Sequence, residues 1–362
     1  MKISRRQFEL AAMAAVNSQA VRALAEPPKE VRQVPWLAEI QTPPPGPPAN
    51  AAQLPPLMIE AAGRRISTRD QWIQHRQVLR QAWLDLLGTW APPRVAPQFQ
   101  IQSSATVGRV LRQLISYETE PGVAVEAYLL TPQPARGRVP GVVVFHSTTD
   151  ETIRQGAGLD GRPEAAWGLK LAERGFAAIC PRAFLWDGTL PANFEQRVDE
   201  HQKRHPDARG MAKMLFDGQR ALDILAGLDN VDPERLAAAG HSLGAKETLY
   251  LAALDDRVKA AVFSEGGIGR AFSNWDAPWY LGKAPVNREH HELLALMAPR
   301  PFLLIGGNAA DGVQSWPYIA AAFEPYLLFG PPPRIGLFNH QKGHTIPPLA
   351  EQRVYEWLAA YL

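Results

Sequence analysis

The sequence predicts an α/β domain with a mostly parallel central sheet of about eight strands, flanked by helices and carrying cap insertions. Three observations lead there. From residue 140 onward, short apolar runs alternate with helical patterns, and the runs are apolar on both faces, as strands buried between two helix layers must be. The string Gly240-His241-Ser242-Leu243-Gly244 stands between a strand-like run at 235–239 and a helix-like run at 245–254. Hydrophobic residues make up 46% of the chain and charged residues 20%, which supplies a large core and argues against wholesale disorder.

Residues 69–87 carry Trp72, Ile73, Val78, Leu79, Trp83, Leu86 and Leu87 at three- and four-residue spacings, with Ser67-Thr68 placed to cap the start of a helix. Residues 109–117 and 123–130 read as strands either side of Glu120-Pro121-Gly122, an antiparallel hairpin. Strands are expected at 141–145, 176–180, 235–239, 258–263, 301–305 and 334–338, with helices at 164–174, 211–228, 245–254 and 352–362. Two stretches, about 184–209 and 266–288, fit no alternation and are expected to sit over the site as a cap. The catalytic domain is expected to span 61–362.

The first sixty residues are of a different kind. Residues 1–25 read as an export signal: Ser4-Arg5-Arg6-Gln7-Phe8, a weakly apolar run from Leu10 to Val16, and Ala23-Leu24-Ala25 before a cleavage point, with Ala20 as an alternative. This resembles a twin-arginine signal, which implies the twin-arginine export machinery as a partner and a periplasmic or secreted location. Residues 26–60 are rich in proline, including Pro43-Pro44-Pro45 and Pro47-Pro48. Proline at this density stiffens the chain and removes backbone donors, so a linker or an arm lying over the domain is expected.

Charge excludes one class of partner. Lys and Arg total 38 against 36 Asp and Glu, a net charge of +2, which gives no reason to expect nucleic acid. The single cysteine, Cys180, can form no internal disulfide and lies in an apolar run, so it reads as an inert core thiol. No cysteine pair is available for a thiolate zinc site. His290-His291 has the look of a metal pair, but adjacent helical residues point apart, and packing is the better reading. Neither a metal nor a cofactor is expected.

Gly-x-Ser-x-Gly at a strand-to-helix turn is the nucleophile-elbow pattern of α/β-hydrolases, in which the turn is too tight for side chains beside the serine. Ser242 is therefore the expected nucleophile. The expected base is His344 in Lys342-Gly343-His344-Thr345, just after the last strand, with His340 as its rival. The expected acid is Asp311, after the strand at 301–305, with Glu265, directly after the strand at 258–263, as competitor. The oxyanion donors are expected at the Leu243 N–H and in the loop His146-Ser147-Thr148.

The blocks Gly240 to Glu247, Ala253-Leu254-Asp255-Asp256-Arg257, Ser264-Glu265-Gly266-Gly267 and His291 to Pro301 resemble the dienelactone-hydrolase and acetyl-xylan-esterase-like branch of the α/β-hydrolases. They are also similar to the glucuronoyl esterases. That similarity implies that Lys246 and Glu265 face a sugar, although Lys246 equally reads as an exposed helix residue. Two departures bear on the substrate. Leu243 stands where glucuronoyl esterases carry arginine, and Ser242 where dienelactone hydrolases proper use cysteine. Trp275 and Trp279 are either an aromatic wall for a sugar or aryl group or packing of the insertion.

The expected activity is that of a serine esterase acting on a small-molecule or carbohydrate ester. The alternatives are a serine peptidase of the prolyl-oligopeptidase type, for whose propeller the chain has no room, and a non-catalytic binding protein on the same scaffold.

Overall fold

A computed structural model describes residues 33–46, 52–60, 62–88, 98–134, 137–282 and 287–362. The chain divides into two units, 1–33 and 34–362, and the second holds the sheet and its helices. The twin-arginine segment lies outside the described residues.

In chain order the elements are α1 (Leu37–Ile40), α2 (Arg69–Leu87), β1 (Gln100–Val107), β2 (Val110–Glu120), β3 (Val123–Pro132), β4 (Val139–Phe145), α3 (Ile153–Gly156) and α4 (Trp167–Glu173). Then come β5 (Ala177–Pro181), α5 (Phe194–Arg204), α6 (Gly210–Ala226), β6 (Val231–His241), α7 (Leu243–Leu254) and β7 (Val258–Ser264). The chain closes with α8 (His291–Leu296), β8 (Phe302–Gly306), α9 (Trp316–Leu327), β9 (Ile335–Asn339) and α10 (Pro348–Tyr361).

Nine strands form one sheet in the order β1-β2-β3-β5-β4-β6-β7-β8-β9. The pairs β1–β2, β2–β3 and β3–β5 are antiparallel, and every pair from β5 to β9 is parallel. The sequence expectation of about eight strands misses β1. That strand, Gln-Ile-Gln-Ser-Ser-Ala-Thr-Val, is solvent-exposed along nearly its whole length. A two-sided polar ribbon has no apolar face to reveal it. The β2–β3 hairpin turns through Pro121-Gly122, where Gly122 has φ +76°, the geometry that Pro-Gly favours in a type II turn.

The sheet separates two cores. Val143, Phe145, Ala238, Ala261 and Phe263 face α2, α6, α7 and α8 on one side. Val142, Val144, Ala237, Ala239 and Val262 face α1, α4 and α10 on the other. Helix α2 starts at Thr68 through a capping box with Gln71, in line with its sequence. To the core α2 contributes Trp72 and Trp83, both fully enclosed.

Residues 34–41 belong to this compact body. Ile40 packs over Gly336 of β9, Trp36 donates to Glu356 at 2.6 Å and stacks on Trp357 at 5.8 Å, and Glu39 takes a two-point ion pair from Arg353. Residues 34–41 thus lie against β9 and α10, within the compact unit that spans 34–362.

Candidate active site

Because β4 and β6 to β9 run parallel, the loops after them emerge along one edge of the sheet. Ser242 follows β6, Glu265 follows β7, the loop bearing Asp311 follows β8, and His344 lies in the loop after β9. His146 and Ser147 follow β4. The topology therefore gathers Ser242, Glu265, Asp311, His344 and the His146-Ser147 loop along that edge.

Ser242 sits at φ 59°, ψ −118°, well outside the regions a non-glycine residue ordinarily adopts. Such a backbone costs about 1–3 kcal/mol and persists only where its surroundings impose it. Two of those surroundings are visible. The Ser242 N–H donates to the Ser264 carbonyl at 2.8 Å, tying the turn to β7. A methyl group at Gly240 would overlap the Gly244 carbonyl, and one at Gly244 would overlap the Phe145 carbonyl. Gly244→Ala is therefore expected to destabilise the protein by about 3 kcal/mol and to depress activity, read as a fall in the urea midpoint.

The histidine facing a carboxylate is His344. Its Nδ1 lies 3.1 Å from Glu265 Oε2, and its ring packs on His241 at 4.7 Å between centroids. His340 takes another course: its Nδ1 accepts the Lys342 N–H at 3.1 Å and shapes the same loop. His241, the variable residue of the elbow, is a member of the site that sequence reasoning misses. Its Nδ1 meets Ser264 Oγ at 3.0 Å, and burial, then the neighbouring His344, holds it well below the usual imidazole range. A neutral ring against His344 adds no competing charge.

The expectation that Asp311 partners the histidine is corrected. Glu265, at φ 51° and with its carboxyl enclosed, is the acid in contact with His344. Burial alone would raise its pKa. The His344 hydrogen bond and the N–H groups of Ala310, Gly307 and Asp311 outweigh that and hold it below the ordinary carboxylate range. With these bonds both of its carboxylate oxygens are engaged within the protein.

Asp311 points elsewhere. It accepts the Gly267 N–H at 2.6 Å, the Ile268 N–H at 2.8 Å and the Ser315 hydroxyl at 2.8 Å. It therefore clamps the start of the second insertion and, through its own N–H, braces Glu265. Burial pushes Asp311 up to about 6. Both acids emerge at the carboxyl ends of neighbouring strands, so spacing alone does not choose between them. The one signal in the sequence is that Glu265 follows its strand directly.

Near the elbow, the Leu243 N–H opens α7, where no intrahelical acceptor exists. The side chains of the β4 loop are engaged. His146 accepts the Ala183 N–H at Nε2, 3.0 Å, leaving Nδ1 to donate to the Ser147 carbonyl at 2.7 Å. Burial lowers its pKa to about 4, which keeps it neutral. The Ser147 hydroxyl donates to the His241 carbonyl at 3.1 Å. These side chains fix the loop, so an oxyanion contribution from this loop falls to its backbone.

Lys246 is buried, not an exposed helix residue. One turn after Ser242, its Nζ bonds Ser273 at 3.0 Å and Asn274, and lies 4.3 Å from the Trp275 ring and 4.6 Å from Tyr280. Burial, opposed by the charge of Asp311, lowers its pKa to about 7. Trp275 is fully enclosed, with Nε1 donating to the Gly267 carbonyl at 2.6 Å, so it packs the insertion and offers no open wall. Trp279 is part-exposed and lies 5.2 Å from Phe194 of α5, joining the two insertions. His290 and His291 are packing residues. His290 bonds Ile268 and Tyr250, and His291 bonds the Pro55 carbonyl.

The parallel sheet, the elbow and the order serine, acid, histidine decide the architecture. The fold is that of the α/β-hydrolases. Residues 125–274 of this chain match the dienelactone hydrolase family. A glucuronoyl esterase from Solibacter usitatus superimposes with a TM-score of 0.70 at 16% identity, covering 87% of this chain and 98% of that one. A glucuronoyl esterase from Teredinibacter turnerae gives 0.63 at 21% identity, covering 87% and 91%. The putative hydrolase YtaP of Bacillus subtilis is 31% identical over 113 residues. That match spans 28% of this chain and 38% of YtaP.

Proposed function

We propose that this chain is an exported serine esterase that cleaves a small-acyl or sugar-linked ester through an acyl-enzyme. The observation that carries the reading is the strained Ser242 turn beside a His344–Glu265 pair. Ser242 Oγ attacks the ester carbonyl while His344 takes its proton, and Glu265 holds the imidazole with Nδ1 protonated. The oxyanion is stabilised by the Leu243 N–H and the backbone of the His146-Ser147 loop. His344 then returns the proton to the leaving alcohol, and water releases the acyl group by the same steps in reverse. Export rests on the twin-arginine pattern at Arg5-Arg6.

A sugar on one side of the ester is favoured by Lys246. A buried ammonium among hydroxyl, amide and aromatic groups suits a hydroxyl-bearing ring better than a hydrocarbon chain. Leu243, in place of the arginine that glucuronoyl esterases carry, points away from a uronate and toward a neutral ester. The test is turnover of p-nitrophenyl acetate, p-nitrophenyl butyrate, an acetylated xyloside and a methyl glucuronate ester by the purified protein. Faster turnover of the acetyl esters supports the reading, and no turnover of any ester by folded protein refutes it. Lys246→Met is expected to raise KM for the xyloside about tenfold, the cost of one charge-assisted hydrogen bond, while kcat for p-nitrophenyl acetate stays within about twofold. Because Lys246 loses its proton near pH 7, that KM difference shrinks as pH rises from about 6 to about 8.

A further inference from the structure

Helix α5, in the first insertion, carries His201 and, at its C-cap, His205. Residues four apart lie on one helical face, and the two rings meet at 5.1 Å between centroids. They meet over Glu120, the last residue of β2, whose Oε2 lies 2.7 Å from His205 Nε2. One ligand atom from each of the three residues falls within 4.8 Å of the others. We propose that Glu120, His201 and His205 form a zinc site that staples the cap helix to the antiparallel end of the sheet.

The chemistry and the dimensions agree. Two imidazoles and a carboxylate are a donor set that Zn2+ favours, with water as fourth ligand. Metal–ligand bonds of about 2.0–2.1 Å place tetrahedral ligands roughly 3.3 Å apart. Zinc binding at that spacing calls for the 2.7 Å His205–Glu120 contact to open and for any pair near the 4.8 Å bound to close. Solvent has access, since the His205 side chain is 22% exposed.

Charge sets the affinity. Arg204 and Lys213 each stand 3.7 Å from Glu120 Oε1. Lys213 is already paired with Asp217 and bonds Thr119 at 3.0 Å, so its charge is balanced within the helix layer. Arg204 is 47% exposed and has room to swing toward solvent when the ion enters. Displacing one arginine weakens binding, so micromolar affinity is expected in place of the tighter binding of a structural zinc finger. The three residues are distinct from Ser242, His344 and Glu265, so the site can be emptied or filled without touching the catalytic groups.

The experiment is isothermal titration of ZnCl2 into the chelator-treated full chain, in a His344→Gln background so that the catalytic imidazole cannot contribute, with thermal melting alongside. About one Zn2+ per chain, bound in the micromolar range and raising Tm, is expected. His205→Gln and Glu120→Gln should each weaken binding at least about tenfold and remove the Tm shift. Glu120 is buried, so if circular dichroism shows Glu120→Gln to be unfolded, the part-exposed His205 variant decides the matter. No saturable binding, or binding that His205→Gln leaves unchanged, overturns the proposal.

Discussion

Ser242→Ala is expected to abolish ester turnover, lowering kcat by about 10^6-fold with the fold intact. The residual rate comes from the oxyanion donors and substrate binding, which the substitution leaves in place. Stability should not fall, and a small gain is expected, because removing the hydroxyl leaves the Ser242 N–H bond to Ser264 and the flanking glycines untouched. The checks are steady-state kinetics on p-nitrophenyl acetate, labelling by a fluorophosphonate probe and a urea melt. Labelling of wild type but not of the variant assigns the nucleophile, and equal labelling of both refutes it.

The second large effect separates the two acids. Glu265→Ala is expected to cost about 10^4-fold in kcat, the scale seen when a histidine loses its orienting carboxylate. Asp311→Asn is expected to stay within about tenfold, since Asp311 touches Gly267, Ile268 and Ser315 and not His344. The reverse ranking would restore Asp311 as the working acid. Stability should show the opposite emphasis. Asp311 has a folded pKa of about 6, raised by burial from an ordinary 3.8. A raised pKa means the unfolded chain releases this proton first. The contribution of Asp311 is greatest in acid and is lost as pH climbs from about 4 through 6, by up to about 3 kcal/mol. Glu265, held below its ordinary value, runs the other way: its contribution is present above the ordinary carboxylate range and fades as pH falls below it. Urea melts at several pH values should therefore show a slope between about pH 4 and 6 that Asp311→Asn removes.

What can be read from the sequence and what cannot divide along physical lines. The parallel strands β4 to β9 are apolar on both faces, so their runs stand out, and the elbow is a steric pattern that glycine positions reveal directly. The capping box of α2 is visible for the same reason, being local. Helix α5 is hidden, because it fully buries only Val198 and His201 and is mostly charged or polar besides. Such a helix owes its place to the cap around it. Choosing Glu265 over Asp311 needs the reach of each carboxylate across neighbouring strands, which no single-chain spacing encodes. Lys246 is legible as a residue but not as a buried one, because its enclosure comes from Trp275 and Tyr280, which arrive from a separate insertion.

The arm at residues 34–41 has a consequence for how the chain is made. It leaves the ribosome long before its partners Pro333, Arg353, Glu356 and Trp357. An ion pair spanning 314 residues closes only after Arg353 has emerged. Such long-range contacts impose a late step on folding. The strand and helix on either side of His344 are the elements this arm secures, so the loop that carries His344 is expected to be fixed only once those contacts have formed.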